Sequence, residues 1–191
     1  CYSLTYEPNT AMTARLNRGE FARADEDLEA EMFEATLRSM RSAGLDRYEV
    51  SNFAREGEEA RHNLVYWRAG FWLALGPAAT GQYPGEGGAY ALRRTAPPLP
   101  RWLRGEAPKE EAISPLEHAK ESLMLGLRLR EGVDVGAVEE RTGLALFPLL
   151  QGRAEELAQE GLLQVRGKRL LPTPKAFPLL HRVVLALWEA L

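Results

Sequence analysis

A histidine, an asparagine, a tyrosine and a tryptophan stand close together in the segment His62-Asn63-Leu64-Val65-Tyr66-Trp67, and Trp72 follows shortly after. If the segment is helical, His62 and Tyr66 lie one turn apart on one face. An imidazole can ligate haem iron, and flanking aromatic rings can cover a porphyrin face. The alternative is a structural histidine packed among core aromatic residues. The residue types therefore predict either a haem-type ligand site or part of the core.

Two strand-like stretches flank this segment. Residues 48–54, Tyr-Glu-Val-Ser-Asn-Phe-Ala, alternate in polarity and are rich in β-forming residues. Residues 71–75 are apolar and run into the small-residue turn at 76–81, as a strand that enters a tight turn would. These two strands are predicted to hold the histidine segment between them.

An earlier strand and a helix complete the first part of the chain. Tyr2–Tyr6 alternates in polarity and ends at a turn that contains Pro8. Acidic residues at 25–27 begin an amphipathic helix that ends before Gly44. A strand, a helix and a second strand form a βαβ unit, which predicts a parallel strand pair of the kind found at the end of a (β/α) barrel.

The last part of the chain predicts a small helical domain. Ser114-Pro115-Leu116-Glu117 is a capping box with proline at the first helical position. Two further helices, a hairpin that turns near Gly167 and a final helix follow, which is a winged-helix-like arrangement. The predicted domains are 1–83, a connecting surface excursion with one short helix near Trp102 at 84–113, and 114–191.

The composition restricts the possible functions. The 191 residues are 45% hydrophobic and 27% charged, with a net charge of −3 and a single cysteine. One cysteine excludes a disulfide framework and no apolar run reaches membrane-spanning length, so a cytoplasmic location is expected. A winged helix could bind DNA, but the segment 147–160 is acidic and residues 114–191 carry equal numbers of acids and bases. Phosphate binding requires the opposite sign, so no nucleic-acid partner is expected.

The motifs also occur in a recognisable order. Ser3–Thr10, Tyr48–Ala54, the His-Asn-x-x-Tyr-Trp segment, the Leu-Gly-x-x-Ala turn and Glu121–Leu129 together resemble the radical-SAM haem chaperones of the HemW type. That family is related to the oxygen-independent coproporphyrinogen III oxidases. The resemblance extends over nearly the whole chain, and the ordered set is far more specific than any one motif.

The resemblance implies an α/β region followed by a mainly α region: the end of a partial TIM-like radical-SAM barrel, then a winged-helix-like domain. It implies a haem-binding chaperone that delivers haem to acceptor proteins. The alternative is a coproporphyrinogen III oxidase-like oxidoreductase of porphyrin biosynthesis, and a nucleic-acid-binding module is the third reading. Whether the family member is an enzyme stays open, and the chain by itself is expected to be inactive.

The resemblance also implies cofactors and partners. Family members bind S-adenosylmethionine and a 4Fe–4S cluster through a Cys-x-x-x-Cys-x-x-Cys motif in an N-terminal half-barrel. This chain has one cysteine, Cys1, outside that motif, so it is expected to be the C-terminal part of a longer parent. The expected partners are the remaining half-barrel or a second copy of the chain, together with haem-acceptor proteins. Membrane association is expected only through those acceptors.

The resemblance also implies two sets of site residues. The first set is predicted to bind haem, with His62 as the iron ligand: His62, Asn63, Tyr66 and Trp67. The second is predicted to contact the adenosyl cofactor, from the ends of the predicted strands or the small-residue turn: Thr5, Glu7, Glu49, Ser51, Gly76 and Thr80. Pro77 and Ala78 stand where the family more often has glycine, which makes that turn stiffer.

Overall fold

The computed structural model describes all 191 residues, and its contacts divide the chain into two compact units, 1–59 and 60–191. The first unit holds α1 (Ala11–Asn17), α2 (Glu26–Ser42), β1 (Asp46–Arg47) and β2 (Phe53–Ala54). The remaining helices and strands lie in the second unit. None of the helices combines the length and apolar character that crossing a membrane would require.

The helix predicted in the first part of the chain is confirmed. The Asp25 carboxylate accepts a hydrogen bond from the Leu28 amide at 2.7 Å, which caps the first turn of α2. Gly44, with a φ of 73°, stands just past the helix end in the left-handed conformation that glycine adopts without strain. The stretch between the first strand-like segment and this helix contains α1, which the sequence did not predict.

The predicted parallel strand pair is wrong. Tyr2–Tyr6 pairs with no strand, and 48–52 is a reversal that joins β1 to β2 as a short antiparallel pair. Of the strand predicted at 48–54, only Phe53–Ala54 is a strand. The Tyr48 amide donates to the Asn52 carbonyl across this reversal at 3.2 Å, so the alternating residues close a turn. The N-terminal ammonium group binds the Ser51 carbonyl at 2.7 Å. The βαβ unit therefore does not form, and every strand pair in the structure is antiparallel.

The second unit begins with α3 (Arg61–Trp67) and continues into a three-stranded sheet. Its strands β3 (Thr80–Pro84), β4 (Ala91–Thr95) and β5 (Lys109–Ile113) pair antiparallel in chain order, and α4 (Leu99–Trp102) lies between β4 and β5. The predicted strand at 71–75 is reduced to a single bridge between Trp72 and Gln82. The predicted excursion at 84–113 contains its short helix, and it also contains the end of β3 and all of β4 and β5, which the sequence did not predict.

The C-terminal elements follow the predicted order. Ser114 and Glu117 form the capping box at the start of the first helix. One short strand at Val133–Asp134 was not predicted; it pairs with the second strand of the hairpin, which lies in the middle of a three-stranded sheet. The elements are α5 (Pro115–Gly126), β6 (Val133–Asp134), α6 (Val135–Thr142), α7 (Phe147–Gln159), β7 (Leu163–Arg166), β8 (Arg169–Pro172), a 3₁₀ helix (Pro174–Leu179) and α8 (Leu180–Trp188).

These elements enclose one hydrophobic core. Leu123 of α5, Leu150 of α7, Leu170 of β8 and Leu187 of α8 are fully buried in it. Burying a leucine side chain contributes about 1.5–3 kcal/mol to the free energy of unfolding. Residues 113–191 thus contain a core of their own, whereas α2 of the first unit has no buried residue. The domain boundaries at 83/84 and 113/114 stay predictions about which parts fold independently.

One partly buried carboxylate joins three elements of this core domain. Glu139 of α6 accepts hydrogen bonds from the Leu146 and Phe147 amides, both at 2.8 Å, and from the Lys168 ammonium group at 2.6 Å. The start of α7 has no side-chain cap of its own, so Glu139 supplies the acceptor. The Lys168 hydrogen bond, with the Phe147 amide, holds the pKa of Glu139 below its ordinary value of 4.5.

We expect Glu139→Ala to lower the free energy of unfolding by about 1–2 kcal/mol, the usual cost of losing a helix cap. Because the pKa is depressed in the folded state, this contribution is present above pH 4.5 and disappears as the pH falls through the folded-state pKa. Denaturant unfolding of the two proteins between about pH 3 and about pH 7 measures it. Glu140→Ala, the exposed neighbour, is the control; an equal loss in both variants would contradict the capping role.

Candidate functional site

Helix α3 is short and depends on its surroundings for its conformation. A helix of seven residues is not stable in isolation, and Ala60 provides no side-chain cap. The chain leaves the helix through Ala69, which is buried and has a φ of 50°, and Gly70. A Cβ at Gly70 would stand 3.1 Å from the Val65 carbonyl oxygen, so glycine permits this close return of the chain. The end of the helix is thus fixed by local packing.

His62 and Tyr66 form a pair on the exposed face of α3, as their helical spacing predicts. The Tyr66 hydroxyl oxygen lies 3.0 Å from His62 Nε2. The two ring centroids are 4.8 Å apart with an interplanar angle of 86°, which is an edge-to-face contact. His62 is exposed and Tyr66 half-buried. The imidazole is accessible to a ligand, and its Nε2 nitrogen is already engaged by the phenol.

Trp72 fixes the other side of Tyr66. The two rings meet edge to face with centroids 4.9 Å apart, and the Trp72 indole N–H donates to the Thr80 carbonyl at 2.7 Å. Trp72 also forms the backbone bridge to Gln82, while the Thr80 hydroxyl bonds that of Thr95 at 3.0 Å. Strand β3 therefore positions the aromatic neighbour of the His62–Tyr66 pair. Thr80, which was predicted to contact the adenosyl cofactor, supplies the carbonyl that holds the Trp72 ring.

Asn63 and Trp67 do not join the pair. Trp67 follows His62 by five positions, which turns it to a different side of the helix. The Arg128 guanidinium, just past the end of α5, lies over the Trp67 ring at 5.6 Å from the centroid, and the ring forms part of the wall of a cavity of about 450 Å³ between α3, α5 and α6. Its indole nitrogen is buried without a hydrogen-bond partner. The Asn63 amide makes no hydrogen bond in the structure. The four motif residues thus face at least two environments.

A buried network ties the end of α3 to the sheet and to α5. The Gln82 amide donates to the Gly70 carbonyl at 3.2 Å, and its oxygen accepts from the Arg93 guanidinium at 2.9 Å. Arg93 also binds the Glu121 carboxylate of α5 at 2.7 Å. Gln82 is 2% exposed, so its polar atoms require these partners. No sequence motif indicated this network.

A stack of three aromatic rings connects the segment after α3 to α5. Phe71 stacks on Tyr90 with centroids 5.6 Å apart, and Tyr90 stacks on the fully buried His118 at 3.7 Å. His118 Nε2 lies 3.2 Å from the Ser122 hydroxyl, and its Nδ1 has no partner. Burial, with smaller effects of Arg141 and Arg93, lowers the pKa of His118 to about 4. The burial and contacts of His118 give it a structural role.

Four residues predicted to contact the adenosyl cofactor lie in the first unit. Thr5 and Glu7 are exposed, and the Glu7 carbonyl accepts from the Thr10 and Thr13 hydroxyls before α1. Glu49 is 1% exposed, with one carboxylate oxygen lacking a partner, and Ser51 lies in the reversal between β1 and β2. Their placement at the ends of parallel strands is wrong because no such strands form. Their contact with a cofactor stays a prediction.

Gly76 belongs to the second unit, in the turn that leads to β3. Its φ of 100° is available to glycine alone without strain, and Ala78 next to it has a φ of 59°. The Ala78 amide donates to the Pro97 carbonyl at 3.0 Å, so this turn is held by the segment after β4. The amide of Ala78 is therefore occupied by a protein acceptor. The role of Gly76 towards a cofactor stays a prediction.

The side chains present suit a single axial ligand. No three His, Cys, Asp or Glu side chains lie close enough together to hold a metal ion. A haem iron takes one axial imidazole from a protein, and the exposed His62 fits that requirement. A 4Fe–4S cluster is usually held by several thiolates, and the single exposed Cys1 does not fit it.

The fold itself is shared with a solved enzyme structure. The coproporphyrinogen III oxidase HemN from Escherichia coli, described as a radical SAM enzyme, superposes with a TM-score of 0.61 at 15% sequence identity. The match covers 88% of this chain and 42% of the enzyme. At this identity the likeness shows a common fold, a mixed α/β arrangement of the HemN type.

Sequence comparisons give relatives of higher identity than this solved structure. Residues 113–179 match the HemN C-terminal domain family. The heme chaperone HemW of Mycobacterium tuberculosis is 34% identical over 194 residues, which cover 96% of this chain and 45% of that protein. The mitochondrial radical S-adenosyl methionine domain-containing protein 1 of Mus musculus is 34% identical over 186 residues, 88% of this chain and 41% of its own length. These matches confirm the predicted resemblance to the HemW-type proteins. The chain spans a little under half the length of these relatives.

The buried His118 generates a pH-dependent stability. Because its pKa is about 4 in the folded state and 6.5 in its ordinary environment, only the unfolded chain takes up the proton between these values. We expect the free energy of unfolding to fall as the pH is lowered through this window, by up to about 1.4 kcal/mol per pH unit. His118→Phe, which keeps a ring in the stack, should remove this slope.

Denaturant unfolding at pH values across that window measures the effect. His181→Gln is the matched control, because His181 is exposed on α8 and has no ring contact. A slope that survives in His118→Phe, or one that vanishes in His181→Gln, would contradict the assignment to His118.

Proposed function

We propose that the protein binds haem through the His62 imidazole and passes it to acceptor proteins. The observation that carries the proposal is the exposed His62 ring, which Tyr66 and Trp72 hold at the surface of α3. An accessible axial ligand suits a cargo that must be bound and handed over. The relatives named heme chaperone HemW support the same function.

A porphyrin at this site would meet rings on one side of the imidazole. Tyr66 and Trp72 lie next to His62, and the exposed side chains of Val65 and Leu73 add apolar surface nearby in sequence. Apolar and aromatic contacts supply most of the binding energy for a planar hydrophobic ligand. Trp67 contacts Arg128 just past α5 and would support α3 from the side away from His62. Asn63, which follows His62 in the sequence, is also part of the proposed haem site.

The cofactors of the longer relatives enter as part of the same proposal. We propose that a full-length parent binds S-adenosylmethionine and a 4Fe–4S cluster through residues outside this chain. Cluster chemistry of the radical-SAM type would supply an adenosyl radical there. Within this chain Thr5, Glu7, Glu49, Ser51, Gly76 and Thr80 are the proposed contacts, and Glu49 has the supporting feature of a buried carboxylate oxygen without a partner.

The fold of the longer protein is a further part of the proposal. We propose that residues 1–83 complete a partial TIM-like barrel and that residues 114–191 are a winged-helix-like domain without nucleic-acid function. The first unit exposes Leu28 and Met32 on α2, with 45% and 51% of their surface accessible. This supports contact with a remaining half-barrel or with a second copy of the chain. Haem-acceptor proteins are the proposed transient partners, in the cytoplasm.

A coproporphyrinogen-oxidising activity is the competing proposal. An oxidase must hold its substrate beside the radical source, whereas a chaperone needs an accessible iron ligand and no turnover. The exposure of His62 favours the chaperone. Incubating the longer protein with coproporphyrinogen III under reducing, anaerobic conditions distinguishes the two, since decarboxylated product appears only for the oxidase.

The decisive experiment is a haem titration of the 191-residue chain followed at the Soret band. We expect a saturable shift in the wild-type spectrum, and a dissociation constant larger by roughly tenfold or more in His62→Ala, because the axial bond is lost. His181→Ala, which removes an exposed histidine elsewhere, should bind as wild type does. An unchanged spectrum and affinity in His62→Ala would remove this residue from the site.

A further inference from the structure

The nitrogen that an iron atom would use is already occupied. His62 Nε2 lies 3.0 Å from the Tyr66 hydroxyl oxygen, within hydrogen-bond distance, whereas the structure gives Nδ1 no protein partner. The Tyr66 hydroxyl has no other protein partner either. The Nε2 lone pair of His62 can therefore either accept the phenolic proton of Tyr66 in a hydrogen bond or bind a metal.

The direction of this hydrogen bond follows from the two groups. A neutral imidazole carries one N–H donor and one basic nitrogen acceptor, while a phenol is a good donor whose oxygen lone pair is partly delocalised into the ring. The bond is therefore stronger when O–H donates to the nitrogen. That arrangement leaves the imidazole proton on Nδ1, facing solvent, and presents the Nε2 lone pair towards Tyr66.

We infer that Tyr66 is a positioning residue that holds His62 in its Nδ1–H tautomer and competes with iron for Nε2. This inference rests on the proposed haem function. The Nδ1–H tautomer is the one that ligates a metal through Nε2, so the phenol keeps the ring ready for iron. Forming the iron–nitrogen bond breaks the O–H···N bond, and the released hydroxyl turns to water without any redox change.

The packing around Tyr66 keeps its hydroxyl close to His62 Nε2. Trp72 holds the Tyr66 ring from its far side, and Trp72 is fixed in turn by the Thr80 carbonyl and by the bridge to Gln82. A displaced hydroxyl therefore stays near Nε2 and can recapture it when iron leaves. Such a device weakens haem binding modestly and shortens its residence, which suits a protein that must release its cargo.

The first test needs no haem. Long-range ¹H–¹⁵N spectra of the wild-type chain should show the His62 ring as the Nδ1–H tautomer at a pH where it is neutral. In Tyr66→Phe the commoner Nε2–H tautomer should predominate, because nothing then donates to Nε2. Tyr83→Phe is the matched control: it removes a tyrosine hydroxyl without a hydrogen-bond partner from β3, and the His62 signals should stay as in wild type.

The second test measures the competition. A single net hydrogen bond is worth a factor of about five in an equilibrium constant, so Tyr66→Phe should bind haem about fivefold more tightly than wild type. Its transfer of haem to apomyoglobin, used as a generic acceptor, should be slower by a similar factor. Tyr83→Phe should match wild type in both measurements.

The outcomes separate the two proposals. An unchanged tautomer in Tyr66→Phe overturns the inference whether or not haem binds. Weaker haem binding in Tyr66→Phe also overturns it, because Tyr66 would then be an aid to the ligand and not its competitor. A wild-type chain that shows the Nδ1–H tautomer but leaves the haem spectrum unchanged contradicts the proposed function itself.

Discussion

The hydrogen-bonded network through Gln82, Arg93 and Glu121 is the constraint on which the candidate site depends. It begins at the Gly70 carbonyl, just past α3, crosses the sheet and ends on α5. A buried amide and a largely shielded ion pair are costly unless each polar atom is satisfied, so all three side chains must be present together. Because α3 is too short to be stable alone, this network and the aromatic stack at His118 determine where His62 stands.

The elements that were predictable from the sequence are those with local signals. The capping box at Ser114, the proline at the next position and the glycine turn at Gly167 each act through neighbouring residues, and the corresponding elements form where expected. The pairing of His62 with Tyr66 is equally local, since it needs only a helical spacing of four. Asp25 at the start of α2 belongs to the same class.

The wrong and missing predictions concern contacts between distant residues. Alternating polarity at 48–54 is compatible with a strand or with a reversal, and only a paired neighbour decides between them. The bridge from Trp72 to Gln82 and the ion pair of Arg93 with Glu121 join residues that no short motif connects. The position of Trp72 against Tyr66, on which the site depends, could therefore not be derived from spacing.

Two histidines of the second unit differ in role because their surroundings differ. His118 is enclosed between Tyr90 and the core, where burial lowers its pKa and removes it from any ligand. His62 is exposed to solvent, and its ring has one hydrogen bond, to the Tyr66 hydroxyl. A buried imidazole stabilises its domain but cannot exchange partners, because no ligand can reach it. In the proposed haem site, an exposed imidazole with one weak hydrogen bond could bind iron and regain that hydrogen bond when the iron leaves. The rigid part of the site thus lies in the sheet beneath, and the exchangeable part is a single O–H···N bond at its surface.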